Sequence, residues 1–309
     1  MAKHTYDFIA SGEATRLDLF VASQLPNFSR SYIQLAIKNN TILVNGKPAT
    51  KNTIVGNGEQ VAVWFITSDF IENDAEPLEI TIAHEDENVL VVDKTPGVVC
   101  HPGAGVSHGT LLQGLLYAYP YLRQVPRGGL VHRLDKDTSG LLLVAKHLEA
   151  HDYLTKLLQR REIKREYRGI VYGTVISGST INLPLARDSR NRLKRKVVEG
   201  GKEAITHFRV LHRLAGATEL LIQLESGRTH QIRAHFEAKS MSLVGDKLYG
   251  KKHVQKGLKP EARDSLLGFN RVALHAWRLS WKPFGLDSEI VIESTLPDDY
   301  QKLLQTLSP

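Results

Sequence analysis

The chain has 309 residues, of which 42% are apolar and 24% are charged, the composition of an ordinary globular protein. This length suits one large domain, alone or with a small companion. Cys100 is the single cysteine, which excludes an intramolecular disulfide and disfavours a cysteine-based zinc site. No apolar run reaches membrane-spanning length and the N-terminus lacks the apolar core of a secretory signal, so we expect a cytoplasmic protein.

The chain has a formal net charge of +7 and a sequence pI of about 9.3, and its acidic and basic residues are concentrated in separate segments. The stretch 187–196 (RDSRNRLKRK) holds six basic residues against one acid, whereas 67–79 holds five acids and no base. Separate positive faces of this kind indicate binding to nucleic acid. A solvated charged loop is the alternative for 187–196 taken alone.

Residues 14–66 are predicted to form a small α+β module. ATRLDLFVASQL has apolar residues at helical spacing, and SRSYIQLAIKNN follows as a second short helix that Ser29 or Ser31 can cap. Asn45-Gly46 then suits a tight hairpin turn before the strand NGEQVAVWFI. This order of helix, helix, hairpin and strand resembles the S4 RNA-binding domain, with a generic small module as the alternative.

The acidic segment 67–79 is interpreted as a linker, and residues 80–309 as a second, larger domain. Adjacent strand patterns dominate this part, and helical patterns are fewer. There is no regular alternation of strand and helix, so we predict an α+β domain around a mixed, largely antiparallel sheet. Helices are expected in TLLQGLLYAYPYL, LEAHDYLTKLLQRR and RTHQIRAHFEAK.

The stretch GGLVHRLDKDTSGLLLVAK, residues 128–146, places charge between two apolar segments. Interpreted as two strands joined by the turn KDTSG, it puts Arg133 and Asp135 on one face at a strand end. A carboxylate held there could act as a nucleophile or base. The alternative is that Asp135 and Asp137 only organise the turn, because aspartate is common in turns.

Two further stretches carry candidate site residues. In LLIQLESGRTHQIRAHFEAK, Arg228 stands where a strand meets a helix that Thr229 can cap, a position suited to an anion or a carboxylate partner. His230 and His235 are five residues apart and fall on different helix faces, so we expect no metal site. In REIKREYRGIVYG, Tyr167 could stack on a base or cover a sheet edge.

These stretches, in this order, resemble the motifs of the RluA-type pseudouridine synthases. VHRLDKDTSGLLLVAK, KREYRGIVYG and ESGRTHQIRAH carry the resemblance, and KTPGVVCHPGAG, LVGDKLYG and RVALHAWRL extend it from about residue 80 to the end. The family converts uridine within RNA to its C-glycoside isomer without cofactor or metal. The resemblance therefore implies an RNA-modifying isomerase.

Roles for individual residues follow from the same resemblance. Asp135 matches the essential aspartate, and Arg228 matches the basic residue that pairs with it. Tyr167 matches the tyrosine that stacks on the target base and is a candidate for transfer of the C5 proton. Arg133 matches the arginine that fills the gap left by the flipped nucleotide, and Ile232 matches an apolar residue of the pocket.

Further residues are candidates for contacts with RNA or with the base, and Lys136, Asp137 and Thr138 are expected to form only a turn. The RNA-contact candidates are His132, Arg30, Lys38, Arg192, Lys194 and Arg195. The motifs are compatible with attack of Asp135 on C1′, with attack on C6 and with elimination to a glycal.

The resemblance further implies 23S ribosomal RNA or a precursor of the large ribosomal subunit as the partner, with the helix 69 stem-loop as the expected target. A monomer is the expected state. The alternatives are the same chemistry at other 23S sites, or a non-catalytic assembly factor that binds RNA through its S4-like module. A sugar-processing hydrolase is disfavoured, because glycosidases usually need two carboxylates and this site offers one carboxylate facing an arginine.

Overall fold

The computed structural model describes residues 3–25, 30–66, 75–103, 105–250, 254–283 and 286–308. The first group of elements consists of β1 (Lys3–Ile9), β2 (Thr15–Arg16), α1 (Leu17–Gln24), α2 (Arg30–Lys38), β3 (Ile42–Val44), β4 (Lys47–Pro48), β5 (Ile54–Val55) and β6 (Gln60–Ile66). Four of the strands form an antiparallel sheet in the order β1-β6-β3-β4. The predicted order of helix, helix, hairpin and strand is confirmed, and β1 adds a strand in front of it.

The N-terminal module has an apolar core of its own. The two helices bury Leu17, Val21 and Ile33 against sheet residues such as Val61 and Val63. Asn45 and Gly46 adopt φ angles of 51° and 73°, as the predicted tight turn requires. The proposed cap Ser29 lies outside the described residues, and the second candidate, Ser31, lies inside α2.

Only the end of the predicted linker 67–79 can be described, because residues 67–74 lie outside the described parts. From Ala75 onward the chain packs on the larger domain. The Glu76 carboxylate pairs with His108 and accepts a hydrogen bond of 2.8 Å from the Gly109 amide. Leu78 lies so close to Gly114 that a Cβ there would stand 2.6 Å away. Residues 75–79 are therefore part of the larger domain rather than of a free linker.

The remaining elements surround one large sheet. They are β7 (Thr81–Glu85), β8 (Val89–Lys94), α3 (Leu111–Ala118), β9 (Ser139–Ala145), α4 (Leu148–Gln159), β10 (Lys164–Tyr172), β11 (Ser179–Asn182), β12 (Leu185–Arg187), β13 (Arg195–Val197), β14 (Ile205–Leu214), β15 (Ala217–Leu224), α5 (Gln231–Ala238), α6 (Pro260–Gly268), β16 (Leu274–Trp281), β17 (Ile290–Glu293) and α7 (Asp298–Leu307). Short 3-10 helices cover Pro120–Gln124 and Pro126–Gly129.

The sheet has the strand order β11-β14-β15-β10-β16-β9-β8-β7, and β17 pairs with β16. All of these pairs are antiparallel except β9 and β16, which run parallel. The predicted α+β class with a mixed, largely antiparallel sheet is confirmed. Among the described helices, none is long and apolar enough to cross a membrane.

The segment before β9 is not the strand that its alternating pattern predicts. Leu130 makes a single bridge to Val144, and the backbone then runs irregularly to a turn at Lys136 and Asp137. Regular pairing begins only at Ser139. The Cys100 and Lys94 side chains and the Gly97 amide, rather than a neighbouring strand, bond the backbone of Leu134 and Lys136.

β9 and β16 approach each other closely where this segment joins the sheet. Gly140 has a φ of 107°, and a Cβ there would lie 2.2 Å from the carbonyl oxygen of Ala276. Only glycine tolerates both the dihedral angle and the contact. The start of β9 is therefore fixed at the level of the backbone, directly after the segment that carries the candidate aspartate.

Candidate active site

A cavity of about 560 Å³ opens between the segment before β9, the strands β10 and β15, and α5. Its volume lies within the range of small-ligand pockets. The polar and charged side chains that line it include Asp135, Tyr167, Arg133, Arg165, Arg228, His230 and Arg233. Arg192, Lys194 and Arg195 are not part of the lining.

Asp135 is held in this cavity by contacts to the residues on either side of it. Cys100 Sγ donates to the Leu134 carbonyl at 3.2 Å and lies 3.4 Å from the Leu134 amide, which donates to it. The buried Lys94 ammonium donates to the Lys136 carbonyl at 3.0 Å, and the Gly97 amide donates to the same oxygen at 2.9 Å. The aspartate therefore extends from a fixed backbone, with its side chain 14% exposed.

Arg233, not Arg228, is the partner of this carboxylate. Arg233 Nη1 donates to Asp135 Oδ2 at 3.2 Å, and His230 Nε2 lies 3.8 Å from Asp135 Oδ1. The expected pairing of Arg228 with Asp135 is wrong. Arg228 is exposed, and its Nε donates to the carbonyl of Glu203 at 3.3 Å.

The position at which α5 starts explains why Arg233, and not Arg228, contacts Asp135. The helix begins at Gln231, and the residue before it, His230, has a left-handed backbone with a φ of 56°. Thr229 does not cap the helix as predicted; instead the Gln231 side-chain oxygen accepts from the amide of Arg228 at 3.1 Å. Arg228 thus lies in the turn and points outward, whereas Arg233 lies in the first turn of the helix.

Asp246 orients Arg233 from the other side. The Asp246 carboxylate accepts from Arg233 Nε at 2.7 Å and from Nη2 at 2.8 Å, and it also accepts from two backbone amides. Burial by itself would lower the pKa of Arg233, but the hydrogen bonds and charges of Asp246 and Asp135 outweigh burial and raise it. A charged guanidinium is therefore held rigidly beside Asp135.

Tyr167 and Ile232 lie in the wall of the cavity, at 5% and 4% exposure. Tyr167 projects from β10, and burial raises the pKa of its phenol to about 12 despite the opposing effect of Arg165. Ile232 belongs to α5 and to the main apolar core. The structure therefore brings both predicted residues to the same cavity as Asp135.

Arg133 and His132 differ in what they contact. Arg133 is exposed at the cavity and makes no hydrogen bond or ion pair with the described residues. His132 Nε2 accepts a hydrogen bond of 3.0 Å from the Leu143 amide of β9. Burial, together with Arg165 and Arg127, lowers the pKa of His132 to about 3, so the ring is neutral. His132 therefore joins the aspartate segment to the sheet through its ring acceptor.

The basic tract 187–196 forms a hairpin, with β12 paired to β13. Arg192 is exposed at its tip. Lys194 Nζ lies 5.3 Å from the centroid of the Tyr249 ring, and the Arg195 amide donates to the Tyr249 hydroxyl at 2.6 Å. The tract is thus a regular hairpin that Tyr249 attaches to the rest of the domain.

The two candidates of the N-terminal module lie on α2. Lys38 is exposed at the end of this helix. Arg30 is half-exposed, and its guanidinium donates to the buried carboxylate of Asp18 at 3.0 Å. Arg30 therefore has a structural partner within the module as well as an accessible surface.

Sequence reasoning missed Arg233, Asp246, Tyr249 and Arg165 as site residues. All four belong to motifs that carry the family resemblance, ESGRTHQIRAH, LVGDKLYG and KREYRGIVYG. A helix start at Gln231, three residues after Arg228, places Arg233 in the first turn of the helix, and a correct prediction of this start would have identified Arg233 as the candidate. The pairing with Asp246 joins segments 13 residues apart and is visible only in three dimensions.

Residues 88–238 match the family model described as RNA pseudouridylate synthase, and residues 15–61 match the S4 domain. The chain belongs to the RNA pseudouridylate synthase family, and it is an RNA pseudouridine synthase.

The curated relatives are similar over almost the whole chain, and those named here are each called ribosomal large subunit pseudouridine synthase D. The protein from Neisseria meningitidis serogroup A is 44% identical over 94% of this chain and 78% of its own. The Pseudomonas aeruginosa protein is 42% identical over 94% of this chain and 92% of its own. The Xanthomonas campestris protein is 39% identical over 96% of this chain and 90% of its own.

Solved structures show the same fold. Human RNA pseudouridylate synthase domain containing 1 is 26% identical, with a TM-score of 0.55 over 76% of this chain and 91% of its own. Human RNA pseudouridylate synthase domain containing 4 is 22% identical, with a TM-score of 0.57 over 73% and 92%. At 22% identity, the similarity to the domain containing 4 protein shows a shared fold only.

Proposed function

We propose that this enzyme isomerises uridines of 23S ribosomal RNA in the large subunit or its precursor, at the helix 69 stem-loop, with Asp135 as the essential carboxylate. The large-subunit substrate is supported by the names of relatives that share about 40% of its residues. The helix 69 target rests on the overall resemblance of the chain to these relatives.

The observation that carries the assignment of Asp135 is its contact with Arg233. The Arg233 guanidinium holds the carboxylate of Asp135 at 3.2 Å, and this carboxylate faces a cavity large enough for a nucleotide. A uridine in a helix or stacked loop reaches it only after flipping out, at a cost of a few kcal/mol. Arg133, exposed at the mouth, is suited to fill the vacated position in the RNA.

Tyr167 is proposed to stack on the flipped base from the wall of the cavity. Its raised pKa of about 12 keeps the phenol protonated at neutral pH, and a protonated phenol accepts a proton poorly. We therefore assign to Tyr167 the aromatic contact and a neutral hydroxyl, and not a phenolate base. Ile232 adds apolar surface to the same pocket.

Binding of the RNA backbone is proposed to come from the basic hairpin and from the N-terminal module around residues 14–66. Arg192 and Lys38 are exposed, and Lys194 and Arg195 are partly exposed, so phosphate groups can reach their charges. Such contacts would repay the cost of extracting the uridine.

The decisive experiment is release of tritium from RNA labelled at uridine C5, with large-subunit RNA that lacks the modification as substrate. We expect release by the native protein and none by Asp135→Asn, with RNA binding retained. The matched control is Asp137→Asn, an exposed carboxylate two residues away in the turn, which should release tritium at the native rate.

Native release by Asp135→Asn would show that another group carries the chemistry. Binding without any release by the native protein would favour a non-catalytic assembly factor for this RNA. Chemical mapping of the product then locates the modified uridines, and modification confined to sites outside helix 69 would refute the proposed target.

A further inference from the structure

Arg165 is a buried cation in the wall of the active-site cavity. It projects from β10 two residues before Tyr167, so the two side chains share one face of the strand. The residue is only 5% exposed, yet it lines the same cavity as Asp135. A guanidinium is almost never buried without a partner, because its desolvation is costly.

Within the described chain, Arg165 has no carboxylate partner. Its Nη2 donates to the carbonyl of Glu225 at 3.2 Å, and its buried Nε has no hydrogen-bond partner there. The neighbouring Arg161 takes the Glu225 carboxylate instead. Gly227 leaves room for the guanidinium, since a Cβ there would lie 2.6 Å from Arg165 Nη1. The site thus holds an uncompensated positive charge with free donors.

The reaction creates a matching negative charge. When the N1–C1′ bond breaks, its electron pair goes to the base, which leaves as an anion with charge on N1, O2 and O4. C1′ either bonds to the Asp135 carboxylate or forms a double bond to C2′ as the C2′ proton is lost. When C1′ then bonds to C5, the carboxylate departs or the proton returns to C2′; C5 afterwards loses its proton and N1 takes one up. If the carboxylate instead adds to C6, the charge appears on O4 as an enolate.

We propose that Arg165 binds a carbonyl oxygen of the flipped uracil and stabilises the negative charge that the base carries during isomerisation. The proposal rests on the proposed roles of Asp135 and Tyr167. Donors that are already oriented in a dry site stabilise such charge without reorganisation. A buried position beside Tyr167 favours the base over the phosphates, which stay nearer the solvent.

The test separates binding from chemistry. Arg165→Gln should lower the single-turnover rate at saturating enzyme by about 100-fold or more, with a change in Kd of less than threefold. The slope of log Kd against log salt should stay the same, because no phosphate contact is lost. Arg263→Gln, an exposed arginine on α6, is the matched control and should leave the rate unchanged.

Modified substrates identify the oxygen. RNA with 2-thiouridine or 4-thiouridine at the target replaces one carbonyl oxygen by sulfur, a weaker acceptor. For one of the two, the loss caused by Arg165→Gln should shrink, as expected for groups in contact. If Arg165→Gln is unfolded at the assay temperature, Arg165→Lys replaces it, since it keeps the charge without the planar fork.

A weaker Kd with a smaller salt slope and an unchanged rate would assign Arg165 to a phosphate and overturn the proposal. Losses that simply add on both thio substrates would overturn it as well. In both cases the native enzyme stays active, whereas failure of the proposed function would abolish native tritium release.

Discussion

The backbone amide of Arg195 donates a hydrogen bond of 2.6 Å to the hydroxyl oxygen of Tyr249, and His230 Nδ1 lies 3.1 Å from the same oxygen. The Tyr249 ring also has Lys194 Nζ 5.3 Å and Arg233 Cζ 5.0 Å from its centroid. One aromatic side chain therefore connects the basic hairpin to Arg233, the partner of Asp135.

Tyr249→Phe should loosen the hairpin without disturbing the chemistry. The ring stays, but the Arg195 amide loses its acceptor, at a cost of about 1 kcal/mol. We expect faster hydrogen exchange across 188–197 and a Kd for RNA weakened by about fivefold at most. The single-turnover rate at saturating enzyme should stay within twofold. Unchanged exchange at Arg195 would contradict this role of the hydroxyl.

Neutralising the hairpin by Arg192→Gln, Lys194→Gln and Arg195→Gln should weaken RNA binding and reduce its dependence on salt. Each lost contact to a single-strand phosphate should lower the slope of log Kd against log salt by roughly 0.7. Titrations at several salt concentrations measure the slope, with Arg263→Gln as control. An unchanged slope would mean that the hairpin does not contact RNA.

Asp246→Asn should destabilise the fold strongly, because Arg233 would lose its two short bonds within a buried site. Removal of one partner of a buried ion pair costs about 3–5 kcal/mol. The pKa of Asp246 is lowered: burial raises it, but the bonds and charge of Arg233 outweigh burial. Its stabilisation is therefore present above the ordinary value of 3.8 and is lost as pH falls below that value through the folded-state pKa.

Urea denaturation at pH 7 and at pH values below 4 measures this effect. The deficit of Asp246→Asn relative to the native protein should be largest at neutral pH and should shrink in acid. Asp264→Asn, an exposed acid on α6, provides the control and should change stability by less than about 0.5 kcal/mol. A deficit that stays constant with pH would argue against the ionised pair.

His132→Gln tests the ring as a backbone acceptor. The pKa of His132 falls from 6.5 to about 3 on folding, so the unfolded chain binds a proton that the folded chain refuses between these values. This histidine therefore makes the native state less stable as pH falls from 6.5 to 3, by up to about 1.4 kcal/mol per pH unit.

Glutamine offers an oxygen to the Leu143 amide and does not titrate, so the variant should lose stability more slowly over that pH range. His132→Ala has no acceptor and should be less stable than His132→Gln at pH 7. Denaturant titrations at several pH values compare the three proteins. Equal slopes for His132→Gln and the native protein would refute the depressed pKa.

Local patterns predicted the parts of the fold whose hydrogen bonds are local or follow a regular ladder. Helix α1, the Asn45-Gly46 turn and strand β9 are of this kind. The segment from Leu130 to Lys136 alternates like a strand, but at Leu134 and Lys136 its backbone is bonded by Cys100, Lys94 and Gly97 from a distant part of the sequence. No pattern within the segment reveals such partners.

The motifs predicted which residues line the candidate site. They did not predict the contacts that these residues make with other segments. Asp135, Tyr167 and Ile232 meet in one cavity, as the motifs implied. The choice between Arg228 and Arg233 depended on the left-handed residue that delays the start of α5. A difference of a few residues in a helix start thus decided which arginine faces the carboxylate.

The sulfur contact beneath Leu134 makes the only thiol of the chain a reporter of motion at the active site. Burial raises the pKa of Cys100, so the thiol reacts slowly while the aspartate segment is in place. An alkylating reagent can attach to this buried thiol only when the structure around it opens, and the adduct would then displace Leu134. Inactivation by such reagents would measure how often the segment opens and how strongly bound RNA holds it closed.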